Sequence, residues 1–404
     1  MTRITIFLTI LTIPLTHASI GQILSEEASI SVITLGPDQQ ELYSAFGHSS
    51  FRVYDPTNGW DIIYNYGVFD FDQPNFYLNF ANGNPYYKLG VGRHDRFRDR
   101  AIEDKRYVIE QTLNLTQQEK QKLFEFLQWN ALPENANYFY NYIYDNCATK
   151  IRDVIDDVLD NKVRYDYSYV TEDLSFRDLM DLYMEEQPWG DLGIDICLGT
   201  GIDKIATGYY YMYLPDYVDQ AFNKAVIEGD SISRPLVSAR KVINPPTDLP
   251  SAASAFTPQM MFIAIFLVFG FISFKDYKRS RRSNWIDLIL FTITGIVGWL
   301  LLFLWLLTDH ISEKNFNLLW AFPLHFPMAF FLLKKSPKPF VGTYYLAITV
   351  ILGILIVFWG FWPQDLHDSL IPFALLLLIR SLIIWNDVRT NQSKALQSGG
   401  IKRS

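Results

Sequence analysis

The chain has 404 residues, 49% of them hydrophobic and 19% charged, against roughly a quarter charged in an ordinary soluble protein. Aromatic residues reach 16%, which excludes a solvating or low-complexity chain, and a net charge of -8 argues against a nucleic-acid partner, because displacing counterions needs a basic face. Two cysteines, Cys147 and Cys197, exclude a disulfide-rich scaffold and a four-cysteine zinc site.

The N-terminus carries Arg3, an apolar run over 4–15 and the small residues Thr16 and Ala18. That is the pattern of a secretory signal peptide over residues 1–18, too short to span a bilayer. Residues 19–232 mix polar and apolar positions and are expected to form one outer domain. Within it, 29–35 alternates as a strand does, and His48 to Asp55, a Pro-Thr-Asn-Gly turn and Trp60 to Tyr66 form an expected hairpin. Thr116 with Glu119 three positions on is a capping box that opens a helix to about Asn130. Ile151, Val154, Ile155, Val158 and Leu159 repeat at helical spacing, so a second helix begins near Cys147. The outer domain is therefore α+β.

Pro235, Pro245, Pro246, Pro250 and Pro258 punctuate 233–258, which reads as a linker holding neither a helix nor a central strand. A membrane domain of about five transmembrane helices is expected over 259–389, with apolar segments at 259–274, 285–307, 317–333, 340–362 and 370–385. Basic residues (Lys275, Arg279, Arg282; Lys334, Lys338; Arg389, Lys394) flank one side and Asp309, Glu313, Asp365 and Asp368 the other. The positive-inside rule then puts the outer domain across the membrane from the cytoplasm and a polar, loose tail, 390–404, on the cytoplasmic side.

Cys147 stands in the first turn of its predicted helix, where unpaired N–H groups and the helix dipole favour the thiolate. The alternative is a buried thiol or a disulfide with Cys197, which is read as structural. His48 follows Gly47 at a strand start, and a histidine so placed can move the proton that a cysteine nucleophile requires. His94, among charges typical of a solvated loop, is the rival. On the returning hairpin strand, Asn65 can orient the imidazole if the register brings it to the face of His48; a slip of one residue turns it away. Asp55, beside Pro56, reads as a turn former. His310, His325 and His367 sit at the outward ends of the spans and read as interfacial loop residues, with Pro323 and Pro327 kinking the third helix. The histidines are scattered, so no metal site is expected, and no cofactor is called for.

The order histidine first, cysteine later, with the cysteine at a helix start, resembles the circularly permuted papain-like group, which includes NlpC/P60-like and lecithin:retinol acyltransferase relatives. More closely, Leu42-Tyr43-Ser44-Ala45-Phe46-Gly47-His48, Tyr64-Asn65-Tyr66-Gly67 and Asp145-Asn146-Cys147-Ala148-Thr149 resemble the Lnb-type lipoprotein N-acyltransferases of Bacteroidota. The resemblance implies a multi-pass protein of the inner membrane whose periplasmic domain moves an acyl chain from a membrane phospholipid to the α-amino group of a lipoprotein's N-terminal cysteine. It makes Cys147 the nucleophile, His48 the base and then acid, and Asn65 the group that orients it. The aromatic residues of 75–87 and 138–144 are candidates for an acyl groove that excludes water. Two other readings fit the same residues: a membrane-anchored cysteine peptidase or amidase acting on peptidoglycan or peptides, and a non-enzymatic sensor with a Cys147–Cys197 disulfide.

Overall fold

The computed structural model describes residues 22–69, 72–229, 232–246, 254–334 and 337–400. The leader expected over 1–18, the centre of the expected linker and residues 401–404 lie outside the described residues. The outer domain runs β1 (Ser29–Leu35), β2 (His48–Asp55), β3 (Trp60–Val68), α1 (Phe76–Ala81), β4 (Tyr86–Arg93), α2 (His94–Glu103), β5 (Val108–Leu113), α3 (Gln117–Asn130), β6 (Asn137–Phe139) and α4 (Cys147–Val158). It continues with β7 (Val163–Arg164), α5 (Phe176–Met184), α6 (Pro188–Cys197), α7 (Gly208–Tyr211), α8 (Pro215–Lys224), β8 (Val226–Ile227), β9 (Arg234–Pro235) and β10 (Val237–Asn244).

Seven strands make an antiparallel sheet in the order β10-β5-β1-β2-β3-β4-β6. Ile30, Val32, Phe51, Val53, Tyr64 and Tyr66 pack from one face against Leu123, Phe124 and Leu127 of α3 and Ile151 and Ile155 of α4. Ile33, Leu35, Ile63 and Val108 meet Ala101 of α2 on the other. β1 is thus buried on both faces, and each such aliphatic side chain stabilises the fold by about 1.5–3 kcal/mol. The helix starts fall where the caps place them: Thr116 and Glu119 close a reciprocal capping box ahead of α3, and α4 opens at Cys147 behind Asn146.

The structure departs from expectation at the proline-rich stretch, the third apolar segment and the polar tail. The proline-rich stretch contributes β10, which pairs with β5 from Val237↔Leu113 to Asn244↔Val108, so the sheet reaches to Asn244. Its prolines stand on either side of an eight-residue run that lacks them, and an edge strand needs ladder bonds on one side only. The third apolar segment is not one helix. It breaks between a 3-10 turn at Phe316–Leu319 and the short α11 (His325–Phe331), with Pro323 in the gap. Gly295 and Gly298 let this broken segment lie backbone to backbone on its neighbour: a Cβ at either position would stand 2.1 Å from the Phe326 nitrogen or 1.9 Å from the Ala321 carbonyl oxygen.

Among the described residues, four helical segments are long and apolar enough to cross a membrane. They are α9 (Pro258–Arg279), α10 (Asn284–Leu307), α12 (Pro339–Val357) and a segment of Asp368–Ser393 that includes most of α13 (Ile371–Gly400). The polar tail was expected to be loose, but α13 runs on to Gly400, since lengthening a formed helix needs no new nucleus. On the basic side of the bundle, fully buried Arg380 bonds Asp287 at 2.7 Å and Asp276 at 2.8 Å, and Arg282 joins Asp287 to Asp387.

Both acidic loops of the bundle meet the outer domain. Gly199 N–H donates to the Ile311 carbonyl at 2.9 Å, and Asn315 Nδ2 donates to the Ile196 carbonyl at 2.8 Å. Gln364 Nε2 donates to the Leu198 carbonyl at 2.9 Å, and His367 lies 3.3 Å from Asp191. The loops that carry acidic rather than basic residues are therefore those beneath the outer domain, as charge bias places them.

Candidate active site

β2 begins on a turn that only glycine fits easily. Gly47 has φ +82, and a Cβ there would meet the Leu35 carbonyl oxygen at 2.9 Å. The turn sets His48 opposite Leu35. Across the hairpin, Phe51 pairs with Tyr64, so continuing that register one step puts Asn65 opposite Ser50, on the face of His48. His48 Nε2–H donates to Asn65 Oδ1, and Ser50 Oγ donates to the same oxygen at 3.3 Å. The other ring nitrogen is left for the sulfur.

Cys147 opens α4, and its neighbour Asn146 uses its whole amide to hold that helix start. Its Oδ1 accepts from the N–H groups of Ala148 (2.8 Å) and Thr149 (3.0 Å), while its Nδ2 donates to the carbonyls of Tyr142 and Tyr213, both at 2.8 Å. The thiol lies close enough to the His48 imidazole for each to shift the other's titration. Burial alone would push the Cys147 thiol up, yet the charge and hydrogen bond of His48, the Ser49 backbone N–H and the Arg106 charge hold it below its ordinary value. Burial likewise opposes charge on His48, but the neighbouring sulfur and Asn65 outweigh it and raise the imidazole above its ordinary value, against Arg106. Both directions favour a thiolate–imidazolium pair. Gly67, at φ +87, lies against this sulfur-bearing residue: a Cβ on it would come within 3.7 Å of Cys147 Cβ and 3.8 Å of the Tyr140 ring.

His48, Asn65 and Cys147 are therefore brought together, each half-buried. The other candidates are not. His94 is no loop residue but buried at the start of α2, with Nδ1 3.3 Å from Asp61, which also binds Arg52; a charge-rich sequence had mimicked a solvated loop. Asp55 accepts from the N–H groups of Thr57 and Asn58 and from Ser25, as a turn former does. Burial would raise its carboxyl, but these bonds hold it at about 2. Cys197 ends α6, and both thiols are free. No disulfide joins them, which removes the observation the sensor reading needed. His310 docks on α1, His325 is buried against Tyr344, and His367 belongs to the domain contact. Asp191, Asp195 and His367 hold their donor atoms within 4.8 Å of one another, near enough to hold a cation, but Arg177 and the His367–Asp191 contact already engage them.

Arg106 escaped the sequence reading. Its Nε donates to the Gly36 carbonyl at 2.6 Å, and its charge reaches both partners of the pair. It stands about forty positions from Cys147, in a loop between α2 and β5, and only the closed sheet brings the two near.

No curated protein and no solved structure matches the chain. Two family profiles do: the Lnb N-terminal periplasmic domain over residues 21–180 and the Lnb transmembrane domain over residues 250–391. The first contains the histidine, the asparagine and the cysteine, and the second contains the apolar helices beneath them. A periplasmic domain joined to a multi-pass membrane domain, with both halves matched in order, makes this chain a member of the Lnb family.

Proposed function

We propose that the protein is a lipoprotein N-acyltransferase, which moves an acyl chain from a membrane phospholipid through a thioester on Cys147 to the α-amino group of a lipoprotein's N-terminal diacylglyceryl- or lyso-cysteine. The observation that carries this is Cys147 beside the His48 imidazole, which in turn bonds Asn65, on a periplasmic domain seated on membrane helices. A permuted papain-like arrangement, histidine strand before cysteine helix, is the reading of that domain.

In the first half-reaction the thiolate attacks the ester carbonyl of the lipid. The oxyanion is met by the backbone N–H of Cys147, because Asn146 caps those of Ala148 and Thr149 and leaves this one open. His48 gives its proton to the departing alkoxide, so a lysophospholipid leaves and a thioester remains. In the second, the lipoprotein amine attacks the thioester, neutral His48 takes the amine proton, the C–S bond breaks and the thiolate returns as the amide forms. Both substrates are membrane lipids, so a catalyst seated at the outer leaflet works at high effective concentration.

Two assays test this reading. Purified protein in phospholipid vesicles should convert a lyso-lipoprotein to its N-acyl form, and Cys147→Ser should abolish that conversion. The same wild-type protein should leave muropeptides uncut; their cleavage, with no acyl transfer, would establish the peptidase reading instead.

A further inference from the structure

α1 (Phe76–Ala81) is a helix of phenylalanine, tyrosine, leucine and alanine with a single polar residue, Asn79, yet its surface is open: Tyr77 is 73%, Leu78 59% and Phe80 53% exposed. A helix apolar on nearly every side belongs in a core or in lipid. Its position says which. Asn82, just past its end, accepts from the Asp309 N–H at 2.8 Å, and His310 Nε2–H donates to the Phe80 carbonyl at 3.1 Å. Gly83, at φ +80, allows this contact, because a Cβ there would stand 2.5 Å from the His310 nitrogen. Asp309 follows the outer end of α10, where Leu306 and Leu307 are themselves 62% and 70% exposed. The apolar surface of α1 is thus continuous with the lipid-facing surface of a membrane helix.

From α1 a run of aromatic rings leads inward. Phe80 stacks on Phe76 at 6.3 Å, Phe76 on Phe69 at 6.2 Å, Phe69 meets Tyr87 at 5.2 Å, and Tyr87 stacks on Tyr140 at 4.4 Å. Tyr140 borders Gly67, which borders Cys147. Apart from Phe76 these rings are half-buried or exposed, so an alkyl chain can lie along them.

We propose that α1 lies in the periplasmic leaflet of the bilayer and that this aromatic track is the entrance by which the acyl chain of a phospholipid leaves the membrane and reaches Cys147. The inference rests on the thioester reading given above. The occupant is a lipid chain rather than a protein segment because the track starts where a membrane helix ends and finishes at the nucleophile.

The test uses the full chain in phospholipid vesicles and the double variant Tyr77→Asp with Leu78→Asp, two exposed positions outside the catalytic set. Acylation of Cys147 from bilayer phosphatidylethanolamine should slow by about tenfold or more, since two apolar anchors become charges. Acylation by water-soluble p-nitrophenyl acetate should be unchanged. Equal rates from the bilayer in variant and wild type would overturn the inference, and so would an equal fall with both donors. A second arm needs no turnover: in wild-type protein, a phosphatidylcholine with a mid-chain diazirine should cross-link on irradiation to the peptide containing α1. Cross-links confined to the membrane helices would overturn the entrance. If α1 is labelled while Cys147 takes no acyl chain from phospholipid, the failure lies with the acyl-transfer reading and not with the entrance.

Discussion

His48 and Cys147 titrate against one another, and that gives the pair its pH signature. With the thiol held below its ordinary value and the imidazole raised above its own, each charge favours the other, and the thiolate–imidazolium form gains at the expense of the neutral pair. Lowering the pH protonates the sulfur; raising it removes the imidazolium proton. Iodoacetamide should therefore alkylate Cys147 at pH values where an ordinary thiol, with its pKa of about 8.5, is inert. His48→Ala should move the midpoint of that profile upward, and an unmoved midpoint would mean that the imidazole does not stabilise the thiolate. Asn65→Ala should lower acyl transfer by about a hundredfold through a misdirected ring, while Cys147 remains open to alkylation. The asparagine was legible only up to a slip of one residue, because a strand's parity is invisible until its partner's register is known. Arg106 was not legible at all, since nothing local marks a guanidinium whose field acts across the fold.

At the scale of elements, sequence signals were strongest where a side chain bonds to its own backbone. The Thr116–Glu119 box and the Asn146 cap act within four residues, so the starts of α3 and α4 could be read directly. Loss of the cap in Asn146→Ala should cost about 1–2 kcal/mol in a thermal or chemical melt. The β2–β3 turn makes a pH-dependent prediction. Asp55 sits at about 2 when folded, below its unfolded value, so its contribution is present above the usual carboxylate range and is lost as pH falls through about 2. Asp55→Ala should be destabilised at neutral pH, with the difference from wild type shrinking at pH 2; a constant difference would contradict this account of the turn. Elements whose form depends on a neighbour were less legible. Pro323 announced a kink, but the break in the third apolar segment also depends on Gly295 and Gly298 of α10 admitting a close backbone. The edge strand β10 was masked by the prolines around it. Arg380, buried in the last span, was passed over as part of an apolar run, although its two carboxylate partners come from α9 and α10. Arg380→Ala leaves those carboxylates without their cation and should destabilise the bundle by about 3–5 kcal/mol, read as a lower melting temperature in detergent.

At the scale of the whole molecule, a periplasmic domain is seated on a multi-pass membrane domain. Charge bias along the apolar segments gave its sidedness from sequence, because basic and acidic loops alternate. The docking itself was not legible, since it uses scattered polar groups: the Asn315 and Gln364 amides on carbonyls of α6 and the loop after it, and His367 on Asp191. On the proposed function this seating turns the thiol toward lipid, and the thiol then carries the acyl chain. The most direct measurement is the mass of the Cys147-containing peptide after brief incubation of the full-length protein with phospholipid vesicles and no acceptor. A gain of one acyl chain on Cys147 that hydroxylamine removes is expected, with no such gain in Cys147→Ala. An acyl chain found on Cys197, or continued transfer to lipoprotein by the Cys147→Ala protein, would contradict the proposed thioester.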